Sequence, residues 1–565
     1  MSAVSLADFQ PLNPAEASII DGLSSGAFDR IGDGRQPKHP ELDRIVRADF
    51  LRFLLLGGEE GYRPHEKGVQ ISGAWIIGPL DLEGCRVPMV LALRHCVLAD
   101  TPVLSAAIID SVQFDGSALP GLLADGLEIR GGLSLIGAHV NGAIVMPGCR
   151  FGASLRCDGA DLIFPDGIVI DADALVARSV LLRGATVEGG ISLFGARLSA
   201  DFNASASKIT HKEDIAINAE GIEVLGSVQF RTCDVQGEVR MTGAHVDGDF
   251  DLTGAKLFNP GHDALQVKRA LIEGGFFLRQ EAAITGTADL TGAKLGAFHD
   301  ELECWPGPGD ILLNRCLYSA FIGGSVDARS RIEWLSRQSP ERWGQDFWPQ
   351  PYEQLANVFL NMGHDEDSRA VLIAKEKLQR RARRERAKNP VFRSILWLKD
   401  ATLGITLRYG RQPLVALIWL MFFWAVGVGV FGFAESRHAF KPASAVVLRS
   451  PEWTMCSIDT TQERFLSASQ QLVRGRAAPG QSQLECFREQ QEAISYPRFN
   501  VWMYSLDNLF QVLELDQKSF WRPDQNKEWG GLAIAYFYFQ TIVGWVLSLL
   551  AVAGFSGLVK SRSNS

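Results

Sequence analysis

From Leu82 to Leu295 one phrase recurs along the chain: a large apolar residue, any residue, Gly or Ala, a small residue, any residue, then a large apolar residue. Its clearest copies are Leu135–Val140, Leu182–Val187, Leu193–Leu198, Met241–Val246, Leu252–Leu257 and Leu290–Leu295, and most neighbouring copies start 11 residues apart. Frames of three phrases, 28 residues long, run Leu82–Ile109, Leu135–Leu162, Leu182–Ile209 and Phe230–Leu257, the last three beginning 47 and 48 residues apart. A helix would need apolar positions recurring at three and four. Here short apolar alternations are cut by Gly-Ala and polar corners, so each phrase reads as one short strand and its turn. Such a unit cannot bury its apolar row alone; stacking coil on coil does so. The expectation is a right-handed parallel β-helix over 69–304, with coils of about 22 to 24 residues. Roughly ten coils then make a rod roughly 50 Å long. The small residues are expected to serve an inner corner with no room for more than Ala or Gly.

Two further runs carry the chain into a membrane. Leu414–Ala434 is 21 residues without a charge and Gly530–Val559 is 30, both beyond the 18 or so of a spanning helix. The second exceeds what a ~30 Å core requires and should tilt or begin outside it. The N-terminus has no signal-peptide pattern, since Met1–Gln10 lacks a basic start and contains Asp8. Residues 375–399 hold ten Lys or Arg against two Glu, Arg408 and Arg411 abut the first span, and Lys560 and Arg562 follow the second. Both termini are therefore expected in the cytosol. The net charge of -9 conceals this basic run, which suits an anionic leaflet better than nucleic acid. Seven of the nine cysteines fall on the cytosolic side, whereas Cys456 and Cys486 are alone between the spans and are candidates for a disulfide.

The remaining segments fill in the plan. Residues 1–68 read as a helical N-terminal cap with helices at Pro14–Leu23 and Glu41–Leu56. Residues 305–389 read as a helical hairpin around Gly363 plus a basic linker, with Tyr352, Leu355, Ala356 and Phe359 as its apolar stripe. An interfacial amphipathic helix is expected over 390–412, transmembrane helices over 413–434 and 530–560, and an extracytoplasmic loop over 435–529. Within that loop Val501–Trp521 is amphipathic and aromatic. It admits a re-entrant pore helix or a surface helix, and the surface helix is the simpler expectation.

Catalytic motifs are weighed against plainer roles. Gly427–Gly432 spells GxGxxG, but it lies inside an apolar span rather than between a strand and a helix, so close helix packing is the better account of Gly427 and Gly429, as of Gly554 and Gly557. No HExxH occurs, and His364–Asp367 is a charged turn. His95 beside Cys96 sits on a repeat strand. The repeat acids Asp115, Asp158, Asp161, Asp247, Asp249, Asp251 and Asp289 are expected as solvated corner residues. No catalytic, cofactor or metal residue is assigned. The acids Asp507, Glu514 and Asp516 are candidate pore-mouth residues for an oligomeric channel.

The A-x-L elements Ala138–Val140, Ala196–Leu198, Ala255–Leu257 and Ala293–Leu295 resemble the unit of pentapeptide-repeat proteins, loosened to alternating steps of five and six. With Arg44–Leu56, Pro351–Leu355, Leu407–Pro413 and Tyr504–Asp507, most of the chain resembles a group of bacterial membrane proteins often labelled membrane-associated oxidoreductases. That label implies redox chemistry for which the sequence carries no motif. Some pentapeptide-repeat proteins carry a two-span ion-channel module, and the order span, loop, amphipathic stretch, span is similar here, without a TVGYG-like filter before Gly530. These readings imply a non-enzymatic membrane scaffold in the bacterial inner membrane. It is expected to be a homo-oligomer that contacts the lipid bilayer and an unknown protein partner on the solenoid, with a gated channel or membrane-permeabilising sensor as the alternative.

Overall fold

In a computed structural model the described residues are 5–387, 389–394, 396–397, 400, 414–466, 471–510 and 514–555. They divide into two compact units, Met1–Lys375 and Glu376–Ser565.

The first unit is a parallel β-solenoid of about 11 turns. Its coils are not equal. Leu133 pairs with Leu155, Leu155 with Val180, Val180 with Phe202, Phe202 with Val228 and Val228 with Phe250, so coils of 22 residues alternate with coils of 25 or 26. One short and one long coil together make the spacing of 47 or 48 visible in the sequence. The long coils take their extra residues into the 11-residue strands Asp161–Asp171, Lys208–Asn218 and Lys256–Gln266, where the register shifts against both neighbours. An apolar column runs through the interior. Phe202, Phe230, Phe250, Phe276 and Phe298 meet edge to face, with successive ring centroids 5.2, 5.9, 5.4 and 5.6 Å apart, a geometry that adds to simple area burial.

The structure separates the roles of the two small residues in each phrase. The alanines Ala138, Ala196, Ala255 and Ala293 are buried, as expected of a tight inner corner, while Arg197, Lys256 and Lys294 beside them are exposed. The glycines are a correction. Gly137, Gly195 and Gly243 have φ of 61°, 63° and 68°, yet a Cβ there would meet nothing within 4 Å. Space is not their constraint; the left-handed turn is. Other phrases make the same turn with Ala106, Ala174, Ala206, Thr232 and Arg269, at φ of 51° to 58°.

Both ends of the rod are closed. At the N-terminal end Ala48–Leu55 buries Phe50, Leu51, Phe53 and Leu54, and Ile45–Arg47, expected as helix, is instead a strand paired with Trp75–Ile77. Asp29–Arg30 extends the other sheet by pairing with Ile71 and Ser72. At the C-terminal end Gln350–Asn361 and Asp365–Arg386 form the expected hairpin, with Tyr352, Leu355, Ala356 and Phe359 buried. Gln350 and Gln354 donate to the last coil at Cys316 O (3.3 Å) and Tyr318 O (2.7 Å). Beneath them Arg331, fully buried, holds Asp300 with two 2.7 Å bonds and lies 3.7 Å from the Phe321 ring centroid.

In the second unit Leu414–Ser436 and Gly530–Phe555 are helices, with mean hydropathy 2.2 over Val415–Ser436 and 1.6 over Gly530–Val552, long and apolar enough to cross a membrane. The connection between them is closed by antiparallel pairing of Phe440–Pro442 with Trp521–Pro523. It packs around Trp453, Phe487, Tyr504 and Trp521. Cys456 and Cys486 are disulfide-bonded, with Cα atoms 5.5 Å apart. Of the segment expected as an interfacial helix, 390–394 and 396–397 are helical. Arg408, Arg411 and the Leu407–Pro413 motif lie outside the described residues, as do Gly557, Lys560 and Arg562.

Candidate functional site

The stretch Val501–Trp521 is not one surface helix. Asn500 caps a short helix, Val501–Leu509, by accepting from the Trp502 and Met503 amides (3.0 and 3.2 Å). This inserted helix packs against both apolar helices, which also touch each other through Phe423–Phe539 and Phe431–Tyr536. Val501 lies against Gly432, Tyr504 against Phe431, Ser505 against Trp424 and Gly427, and Leu509 against Leu420. It therefore runs from near the C-terminal end of the first apolar helix to well past its middle. On the second apolar helix it meets Phe537, Gln540, Thr541 and Gly544 in the same order.

Polar side chains hold it there, and buried among apolar side chains each needs a partner. Gln540 Nε2 donates to Ser505 Oγ (2.9 Å) and Phe423 O (3.2 Å), and Ser505 Oγ donates to Trp424 O (3.0 Å). Asn508 Nδ2 donates to Gln540 Oε1 (2.9 Å) and Phe537 O (3.0 Å), and Thr541 Oγ1 donates to Asn508 Oδ1 (2.8 Å). Tyr536 donates to Phe423 O at 2.9 Å. Two close approaches make room: a Cβ on Gly427 would lie 2.2 Å from Ser505 Oγ, and one on Gly544 would lie 2.0 Å from Leu509 O. Gly429 faces open space, and Gly554 lies in the second helix. Gln540 and Gly544 were not singled out in the sequence, although a lone glutamine in an apolar run was the available signal.

The three acids have different surroundings. Asp507 is fully buried, accepting from Leu515 N (3.1 Å) and Lys518 N (2.9 Å), with Lys518 Nζ 3.6 Å away. It folds the returning strand of chain back against the inserted helix. Glu514 and Asp516 are exposed.

In the solenoid, several repeat acids do more than solvate corners. Asp115, Asp158 and Asp249 accept backbone amides of the next coil at Ile136, Arg183 and Gly275 (3.2, 3.2 and 2.8 Å). Asp251 and Asp289, both buried, accept from Thr253 N and Thr291 N and pair with Arg231 and Lys268. The Arg183 guanidinium, donating to both Asp158 oxygens, holds that carboxyl below its usual range. Asp161 and Asp247 remain exposed. Burial pushes the thiols of Cys96, Cys149, Cys157 and Cys233 up to about 12, which removes the thiolate that a nucleophile needs. His364 lies 3.8 Å from Asp367 at the head of a helix. Among the described residues His245, Asp247 and Glu273 bring three ligand atoms within 4.8 Å on the exposed face.

Comparison with protein-family models and with curated proteins gives no match. What the chain shows of its kind is its architecture, a parallel β-solenoid joined to two helices long and apolar enough to cross a membrane.

Proposed function

We propose that the chain is a membrane-anchored, non-enzymatic scaffold that presents its solenoid to a protein partner. One observation carries this reading: the rod is closed at both ends, so its free surface is lateral, as in repeat proteins that bind along their length. Exposed Phe194, Leu225 and Phe258 on that surface suit protein contact. The basic flank before the first span and the pairing of Cys456 with Cys486 between the spans, against unpaired cysteines in the solenoid, support cytosolic termini in a bacterial inner membrane. The test is in cells, with a photo-crosslinking residue at Phe194, Leu225 or Phe258 of the full chain. A discrete adduct at one or more positions is expected; no adduct at any of them, with the protein in the membrane fraction, overturns the reading.

A second reading has its own support. The inserted helix, packed against both spans and followed by a returning segment, has the plan of a conducting re-entrant module assembled by several copies. In planar bilayers the scaffold reading expects no selective current. Reproducible single-channel steps that fall when Glu514 and Asp516 are neutralised would promote the channel.

A further inference from the structure

The second unit opens with a cation-rich cleft of about 410 Å³, lined by Arg381, Arg384, Glu385, Arg393, Ser394 and Trp397. Its walls are the end of the long helix Asp365–Arg386 and the short helical pieces at 390–394 and 396–397. Asn389 caps the first piece by accepting from the Val391 amide (3.0 Å), with Pro390 at its first position. The cleft's cations are unequally engaged. Arg384 is held by Asp400 (2.8 Å) and Arg381 by Glu385 (2.9 Å), one turn away on an exposed face. Arg393 makes no ion pair among the described residues and is exposed. With Arg384 offset by Asp400 and Arg381 by Glu385, the positive excess of the cleft is carried by Arg393, and Ser394 adds a hydroxyl.

The same short pieces expose large apolar side chains. Val391, Phe392 and Trp397 are 66%, 52% and 60% exposed, a costly arrangement in water and a favourable one in the headgroup region of a bilayer. They stand shortly before the first span begins at Leu414. We infer that this cleft binds the phosphate of an anionic phospholipid, with the arginines on the phosphate oxygens and Trp397, Phe392 and Val391 in the acyl boundary. Planar guanidiniums match a phosphodiester with paired donors. The inference rests on the membrane anchoring proposed above and adds a lipid preference to it.

The test uses the full chain in nanodiscs of phosphatidylcholine with and without phosphatidylglycerol. After mild detergent extraction, native mass spectrometry reads the retained lipid. The wild type is expected to retain phosphatidylglycerol over phosphatidylcholine, and the double variant Arg381→Gln/Arg393→Gln to lose that preference by roughly five-fold per arginine. Arg384 stays in place because it holds Asp400. Glu385→Gln, which frees Arg381, should raise retention. Unchanged preference in the double variant, or a fall on freeing Arg381, overturns the inference. Displacement of the retained lipid by millimolar inorganic phosphate would also overturn it, in favour of a soluble phosphate ligand. Incorporation into nanodiscs is scored separately, so loss of anchoring and loss of lipid preference give different results.

Discussion

Replacing Gly544 by Ala should loosen the membrane unit, and the geometry sets the size of the effect. The added Cβ would lie 2.0 Å from the Leu509 carbonyl oxygen and 2.9 Å from its carbon, both backbone atoms at the end of the inserted helix. Relief requires that helix to move away from the second span by more than an ångström. Such a shift stretches the bonds from Asn508 to Phe537 O and Gln540 and from Gln540 to Ser505, each worth about 0.6 kcal/mol within a membrane. With the overpacking itself, the cost is about 1 to 3 kcal/mol. Gly427→Ala meets side-chain ends, Ser505 Oγ at 2.2 Å and Gln540 Nε2 at 2.5 Å, which can yield by giving up their bonds, so it should cost less. Gly429→Ala meets nothing within 4 Å. It should be neutral or slightly stabilising, since Ala is the better helix former. The assay is the midpoint of thermal unfolding of the full chain in detergent, read by loss of the monodisperse peak. The expected order is Gly429→Ala at or above wild type, then Gly427→Ala, then Gly544→Ala. Equal midpoints for all three would refute the packing of the inserted helix against both spans.

Three further outcomes follow from the solenoid. Ala206→Gly should stabilise by about 0.5 to 1 kcal/mol, because it relieves a left-handed residue at φ 58°, whereas Gly195→Ala should destabilise by a similar amount; denaturant melts showing the opposite signs would contradict the turn assignment. Asp300→Asn strands the fully buried Arg331 and should cost about 3 to 5 kcal/mol, so a melt within 1 kcal/mol of wild type would show that the pair is not buried. Burial raises Asp29 to about 6, above its unfolded value. Its protonated form then favours the fold at low pH, and stability falls as pH rises from about 4 to 6. Asp29→Asn should flatten that window and stabilise at pH 7; an unchanged pH profile would remove the assignment.

The solenoid was legible because its constraint is periodic: each coil must place an apolar residue inside and a tight turn after it, and both recur in the letters. The 47 and 48 spacing carries the sum of a short and a long coil but not their inequality, which the expected coils of about 22 to 24 residues average out. The turn glycines were misassigned because composition does not distinguish a residue chosen for small size from one chosen for positive φ; Gly195 and Ala196 differ only in backbone angle and burial. The inserted helix was harder still. Val501–Leu509 is apolar and aromatic enough for a surface helix, and what draws it inward is a match between Ser505 and Asn508 and a glutamine and threonine in another apolar run. That pairing is long-range, and one sequence does not display it. Asp507, read as a candidate pore-mouth acid, is buried against the amides of Leu515 and Lys518.

The most direct test of the account is a cryo-electron microscopy map of the full chain in lipid nanodiscs. The expected map shows a capped rod and two helices crossing the disc. It also shows a third short helix, Val501–Leu509, packed against both, reaching Leu420 and Gly544 inside the lipid slab. A map in which residues 501–509 lie on the surface of the disc, or in which Leu414–Ser436 and Gly530–Phe555 pack outside the bilayer, would contradict it.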